Sequence, residues 1–212
     1  DALVTGFSSN AAGNLDYATL KYANNTGAQL WSSRYNGAAN GDDRAYSLAV
    51  DGSGNILVGG YSSNGGNNDF ATVKYAGVDG AVLWASRYNG PSNGDDRIVA
   101  AAVDNTDNVL VTGYSHNGSN FQYLTTKYGS ATGAQIWRSV GSLHTGLSES
   151  LSCGDPESGK RALAVDAAGN SIAVGCAYNG ANDDYQTVKF APDGSVLWSA
   201  RYNGPGNSND QA

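Results

Sequence analysis

Asp69-Phe-Ala-Thr-Val-Lys-Tyr75 is one of four near-copies in this chain. The others are Asp16-Tyr-Ala-Thr-Leu-Lys-Tyr22, Gln122-Tyr-Leu-Thr-Thr-Lys-Tyr128 and Asp184-Tyr-Gln-Thr-Val-Lys-Phe190, and successive starts lie 53, 53 and 62 residues apart. Trp31, Trp84, Trp137 and Trp198 follow at spacings of 53, 53 and 61. A third marker, Ala-Val-Asp, ends at Asp51, Asp104 and Asp166. Several residues recurring in one order exclude chance, and a repeat at fixed period sets the architecture before any local feature does.

One repeat reads as four strands: Ala45–Asp51, Ile56–Ser62, Asp69–Tyr75 and Ala81–Tyr88. Between them lie the turn Gly52-Ser-Gly-Asn55, the Asn- and Gly-rich loop Ser63–Asn68 and the loop Ala76–Gly80. Short runs of β-branched and aromatic residues between such turns are the strand and hairpin signature. No segment sustains a period of 3.6, so helix is nearly absent. Short loops force antiparallel neighbours, and the repeat becomes a meander. Meanders of this length stack radially, which predicts an all-β fold: a β-propeller of four-stranded antiparallel blades. The expected blades occupy residues 1–43, 44–96, 97–157 and 158–212 of a single domain or four-repeat segment. A β-sandwich of the same strands is the plainer rival, and the fixed period argues against it.

The motif string is Asp-(Phe/Tyr)-Ala-Thr-Val-Lys-Tyr, Gly-Ala-Val-Leu-Trp, Arg-Tyr-Asn-Gly, Gly-Asp-Asp-Arg and Ala-Val-Asp-x-x-Gly-Asn. Taken together it resembles the bacterial β-propeller repeat known as SBBP, over the whole chain. The resemblance implies a propeller carried by secreted or surface-exposed bacterial proteins. It supplies no catalytic residues.

Composition narrows the partners. Lys plus Arg total 12 against 19 Asp plus Glu, a net charge of −7. An acidic surface repels phosphate backbones and anionic lipid, so neither nucleic acid nor a membrane surface is an expected partner. No apolar stretch reaches the length of a membrane span, so membrane insertion is not expected. The chain has no Met and no recognisable signal peptide, which is expected of a processed chain or of a piece of a longer one. Low charge with abundant Asn, Gly, Ser and Tyr points to an extracellular, cell-surface or periplasmic setting.

Repeated polar residues invite functional readings. Arg34 and Arg87 are followed by Asp43 and Asp96, whereas the third repeat, with Val140-Gly-Ser-Leu143 and a longer connector, loses both. That joint loss suggests Arg34–Asp43 and Arg87–Asp96 pairs pinning the connectors, rather than a ring of ligand-binding arginines; exposed pairs of this kind contribute little. Lys21, Lys74, Lys127 and Lys189 recur in the third strand. Once per blade is the wrong frequency for a catalytic lysine. Stems running between blades, each ammonium on a carboxylate or carbonyl, fit better.

The turns at Asp51, Asp104 and Asp166 could suggest calcium, but only the Asp104 turn adds a second carboxylate, Asp107, and a calcium site needs six or more oxygens. Asp/Asn turn chemistry accounts for them. His116 and His144 lack Cys or carboxylate neighbours at ligand spacing. No nucleophile elbow or phosphate loop occurs, and Glu appears only at Glu149 and Glu157. No catalytic residue, metal or cofactor is therefore expected.

Three expectations remain. The first is a non-enzymatic module that binds a protein or glycan, or assembles on a surface, through its strand 2–3 loops. Its candidate residues are Asn64, Asn67, His116, Asn117, Tyr178 and Asn179. The alternatives are a hydrolase or lyase with a site in the central channel, disfavoured by apolar inner strands such as Ile98–Val103, and a purely structural subunit. The second is an incomplete ring. Ala2–Phe7 aligns with strand two, so the first blade lacks its inner strand, and self-association or a longer parent chain completes the ring. The third is a disulfide between Cys153, in the long connector, and Cys176, which stands where other repeats have Phe7, Tyr61 and Tyr114.

Overall fold

The structure is a computed structural model describing residues 1–119, 121–140, 162–179, 181–208 and 210. Its strands form four antiparallel sheets. The first holds β1 (Ala2–Ser9), β2 (Leu15–Tyr22) and β3 (Gln29–Tyr35). The second holds β4 (Asp43–Val50), β5 (Ile56–Ser63), β6 (Asn68–Tyr75) and β7 (Val82–Tyr88). The third holds β8 (Asp96–Val103), β9 (Val109–His116), β10 (Phe121–Tyr128) and β11 (Gln135–Val140). The fourth holds β12 (Ala162–Val165), β13 (Ser171–Tyr178), β14 (Asp183–Phe190) and β15 (Val196–Tyr202). Each sheet is a meander, and the first has three strands where the others have four, as the alignment of Ala2–Phe7 with strand two requires.

The first strands of successive sheets approach one another, β4 with β8 and β8 with β12. That convergence of first strands makes the sheets blades arranged about a common axis.

Side-chain alternation explains how each blade is covered on both faces. On β5, Ile56 and Val58 pack toward the first blade with Tyr17 and Trp31, while Leu57 packs toward the third with Ile98 and Val111. On β6, Ala71, Val73 and Tyr75 take the first side and Phe70 the second. Full burial of each aliphatic side chain contributes about 1.5–3 kcal/mol. Between the third and fourth blades, Ala173, Val188 and Phe190 pack with Tyr123 and Trp137. The core of this protein is therefore three inter-blade layers.

Two details depart from the sequence expectation. β4 begins at Asp43, two residues early, because Asp43 and Arg44 pair with Ser62 and Tyr61. The extension needs a bulge between Ala45 and Ser47, and β8 carries its counterpart between Ile98 and Ala100. A bulge has no composition signature, since it answers to the twist of the neighbouring strand.

Candidate functional site

The polar surface of this chain divides into blade joints and a loop rim. At the joints, Lys74 on β6 reaches the Asp51 carboxylate at 2.8 Å, and its ammonium also donates to the Ser130 carbonyl of the next blade at 3.0 Å. The same carbonyl accepts the indole N–H of Trp84 at 2.9 Å. Lys127 repeats the arrangement with Asp104 at 2.8 Å and the Pro192 carbonyl at 3.2 Å, to which Trp137 donates at 2.9 Å. Lys21 and Trp31 share the Gly77 carbonyl, at 2.8 and 3.3 Å. The lysine stems do cross between blades, as expected. Each joint is closed by a left-handed glycine against the preceding tryptophan: a Cβ on Gly80 or Gly133 would lie 2.7 or 2.5 Å from the ring of Trp31 or Trp84.

The turn aspartates serve these joints. Asp51 accepts the amides of Ser53 and Asn55 at 3.0 and 2.8 Å, and Asp104 those of Thr106 and Asn108, both at 2.9 Å. Burial alone would raise the Asp104 carboxyl, but the Lys127 ammonium and the Thr106 and Asn108 bonds outweigh it and hold it down at about 2. Asp51 is lowered in the same way, burial being outweighed by Lys74 and Asn55. Asp107, the second carboxylate of its turn, accepts the Gly52 N–H of the preceding blade at 2.7 Å. These carboxylate oxygens are thus occupied by turn amides and ammonium groups.

The arginine expectation is corrected. Arg34 pairs with Asp16 at 3.0 Å and Arg87 with Asp69 at 2.9 Å. Arg87 stands opposite Ala71 in the ladder, so Asp69 is its diagonal neighbour on one sheet face. Asp43 and Asp96 instead accept the Gly37 and Gly90 amides within the connectors, both at 2.7 Å. Burial raises both carboxyls, against the opposing Ser62 and Gly37 bonds for Asp43 and the Ser115 and Gly90 bonds for Asp96. The correct pairing was legible: where Val140 replaces the arginine, Gln122 replaces the strand aspartate.

The rim is built of asparagines. Asn64 bonds the side chain of Asn67 and donates to Asp69 at 3.0 Å, while its carbonyl oxygen takes the amides of Gly66 and Asn67 at 2.9 and 3.0 Å. Asn179 does the same with Asn182 and Asp184. Asn67 also donates to the Gly94 carbonyl at 2.5 Å, and the Asn68 amide to Asp95 at 2.9 Å, so the loop is fastened to the next connector. The first blade repeats this through Asn14 to the Asn40 carbonyl and the Leu15 amide to Asp42. His116 is partly buried, its ring meeting Phe121 edge-on at 5.0 Å and accepting the Gly118 amide at 3.2 Å. Asn117 is exposed and caps Ser119 at 2.9 Å.

Asn64, Asn67, Asn117, Asn179 and His116 are therefore turn-makers first, and the tips they hold out are Gly65, Gly66, Gly118 and Ser119. Tyr178 ends β13, and its side chain lies outside the described residues. So do Cys153 and His144 and the side chain of Cys176. No helix among the described residues is long and apolar enough to cross a membrane.

Comparison with known proteins agrees with this geometry. Residues 31–67 match SBBP, the β-propeller repeat. BamB from Moraxella catarrhalis shares the fold at 14% identity over 93% of this chain and 44% of that one, with a TM-score of 0.51. Quinohemoprotein alcohol dehydrogenase from Comamonas testosteroni does so at 15% identity over 91% and 34%, with a TM-score of 0.58. A europium-containing methanol dehydrogenase gives 14%, 94% and 40%, with a TM-score of 0.52. The chain spans less than half the length of each of these structures. A search of curated proteins gives no match. Likeness at such identity speaks of the fold alone. The chain is built of β-propeller repeats, with the SBBP repeat recognised at residues 31–67.

Proposed function

We propose that this chain is a non-enzymatic propeller module, displayed outside the cell or in the periplasm, whose loop rim contacts a protein or a glycan. One observation carries the reading: a fixed hydrogen-bonded frame holds out tips that differ. Asn64 and Asn179 build the same turn in different blades, yet the exposed residue whose amide each accepts is Gly66 in one and Ala181 in the other. In the blade between, Asn117 takes the Ser119 amide as Asn64 takes that of Gly66, and the tip is Gly118-Ser119. A constant scaffold with variable exposed tips is how rigid folds present binding surfaces. The ionisable side chains that recur in each blade hold joints and connectors, which leaves the rim as the recognition surface. The extracellular or periplasmic setting is supported by the low charge and the abundance of Asn, Gly, Ser and Tyr.

The test is a glycan array and a panel of purified surface proteins, run with the chain and with a variant in which Gly66 and Ser119, whose backbones accept a side chain, are replaced by alanine. Binding that disappears in a variant of unchanged melting temperature supports the rim. Turnover in a broad hydrolase screen would favour the channel enzyme instead.

A further inference from the structure

Asn64-Gly65 and Asn117-Gly118 sit at the tips of matching turns in the second and third blades. Each asparagine accepts, on Oδ1, the amide of the residue two places on, Gly66 or Ser119, at 2.9 Å. The glycines between, Gly65 and Gly118, are exposed and share a left-handed backbone, φ 93° and 99°. In both turns the amide of that glycine donates at 3.2 Å to the side chain preceding the asparagine. In the second blade the acceptor is the Ser63 hydroxyl, and in the third it is Nδ1 of His116. At this nitrogen the two turns differ in one respect, the basicity of the group that faces its proton.

A glycine after asparagine presents the least hindered backbone nitrogen, because no Cβ obstructs its approach to the side-chain amide. In the third blade both partners of that approach are activated. Nδ1 of His116 lies within reach of the Gly118 proton, in the geometry of a general base, with the ring's own proton on Nε2. The Ser119 N–H on Oδ1 polarises the Asn117 carbonyl, as an oxyanion donor does. His116 is held there from three sides: its amide donates to the Asp95 carbonyl at 3.0 Å, its carbonyl accepts the Ser92 hydroxyl, and its ring meets Phe121 edge-on. The connector pairs are set differently. The Gly37 and Gly90 amides are buried and face the carboxylates of Asp43 and Asp96, weaker bases than imidazole.

We propose that Asn117 is a self-modification site, deamidated to aspartate or isoaspartate with His116 as the base. Nδ1 of His116 takes the Gly118 amide proton, the Gly118 nitrogen bonds to Cγ of Asn117, and the Cγ–Nδ2 bond breaks. Nδ2 takes the proton back from the imidazolium and leaves as ammonia. Water then opens the cyclic imide at either carbonyl, so the step consumes a water and releases an ammonia, with no oxidant or reductant. The product carries a new negative charge at an exposed tip, and the isoaspartate form also lengthens the backbone of the turn by a carbon. The chemistry rests on hydrogen bonds within this turn and stands whether or not the rim binds a partner.

The experiment is timed peptide mapping by mass spectrometry of the folded chain at neutral pH, following the conversion of amide to acid at Asn117 and at Asn64. Asn117 is expected to convert about a hundredfold faster than Asn64, the lower end of what a positioned base contributes. Two variants remove the base. His116→Ser copies the second blade, and His116→Phe keeps a ring against Phe121; both are expected to slow Asn117 by about the same hundredfold. A ring that only braced the loop would act in the opposite sense, since freeing the turn speeds ring closure. In urea the two sites of the unaltered chain are expected to converge, because the turn hydrogen bonds are gone. Equal rates in the folded chain overturn the inference. So does conversion at Asn117 that is unchanged or faster in the two variants, or a difference between the sites that urea leaves intact.

Discussion

Lys74 and Asp51 form an ion pair of 2.8 Å with side chains only 4% and 1% exposed, while the equivalent pair of the fourth blade, Lys189 and Asp166, has the same length at 23% and 31%. The same sequence motif thus sits in two electrostatic surroundings. The first pair lies under the third blade, whose Ser130 carbonyl also accepts the Lys74 ammonium.

Lys74→Met is therefore expected to leave Asp51 as an uncompensated buried charge and to lower stability by about 3 kcal/mol. Lys189→Met leaves its partner in reach of water and is expected to cost clearly less. Urea unfolding of the two variants side by side checks the contrast. Equal losses would show that the joint does not bury its ion pair.

Acidification should act in two opposed stages. Burial raises Asp43 and Asp96, so stability is gained as pH falls from neutral through their folded values and is complete below the ordinary 3.8. Asp104 is held at about 2 and Asp51 is also lowered, so their contribution is present above 3.8 and is lost as pH falls further. The melting temperature should therefore rise from neutral toward pH 4 and then drop toward pH 2. An Asp43→Asn, Asp96→Asn double variant should shrink the first stage to the share of Asp69, which burial also raises, and leave the second in place. Melting curves across this range decide the matter.

Gly37 is a steric position. A Cβ there would lie 2.1 Å from the Ser62 hydroxyl, so Gly37→Ala is expected to cost about 1–3 kcal/mol through overpacking. Removing the obstructing oxygen with Ser62→Ala should recover much of that loss. A double-mutant cycle reads the coupling directly, and additive losses would place the strain elsewhere.

The Cys153–Cys176 bridge proposed from sequence should survive as a linked peptide in a non-reducing digest. In the chain-entropy account its reduction lowers stability by about 3 kcal/mol. Two alkylatable thiols in unreduced, unfolded protein would exclude it.

The repeat, its strand count and the three-stranded first blade are legible in the order of residues alone. All three rest on period and turn chemistry, which are local and recur four times. The sequence also indicated that the lysines cross between blades, because a residue repeated once per blade must answer to something repeated once per blade. The arginine partners were misread although Gln122 and Val140 carried the signal, because the connector aspartates are nearer in sequence than the diagonal neighbour across a ladder. The rim asparagines were legible as loop residues, but nothing in their spacing shows that Asn64 and Asn179 spend their side chains on their own turns. Only the tertiary structure decided that Trp31 and Trp198 differ. They stand in closely matching strands, Leu30-Trp31-Ser32-Ser33-Arg34-Tyr35 and Leu197-Trp198-Ser199-Ala200-Arg201-Tyr202, yet one is buried and the other exposed. Burial belongs to the packing of one blade on another and not to the residue: Trp31 lies under the Gly80 loop of the second blade.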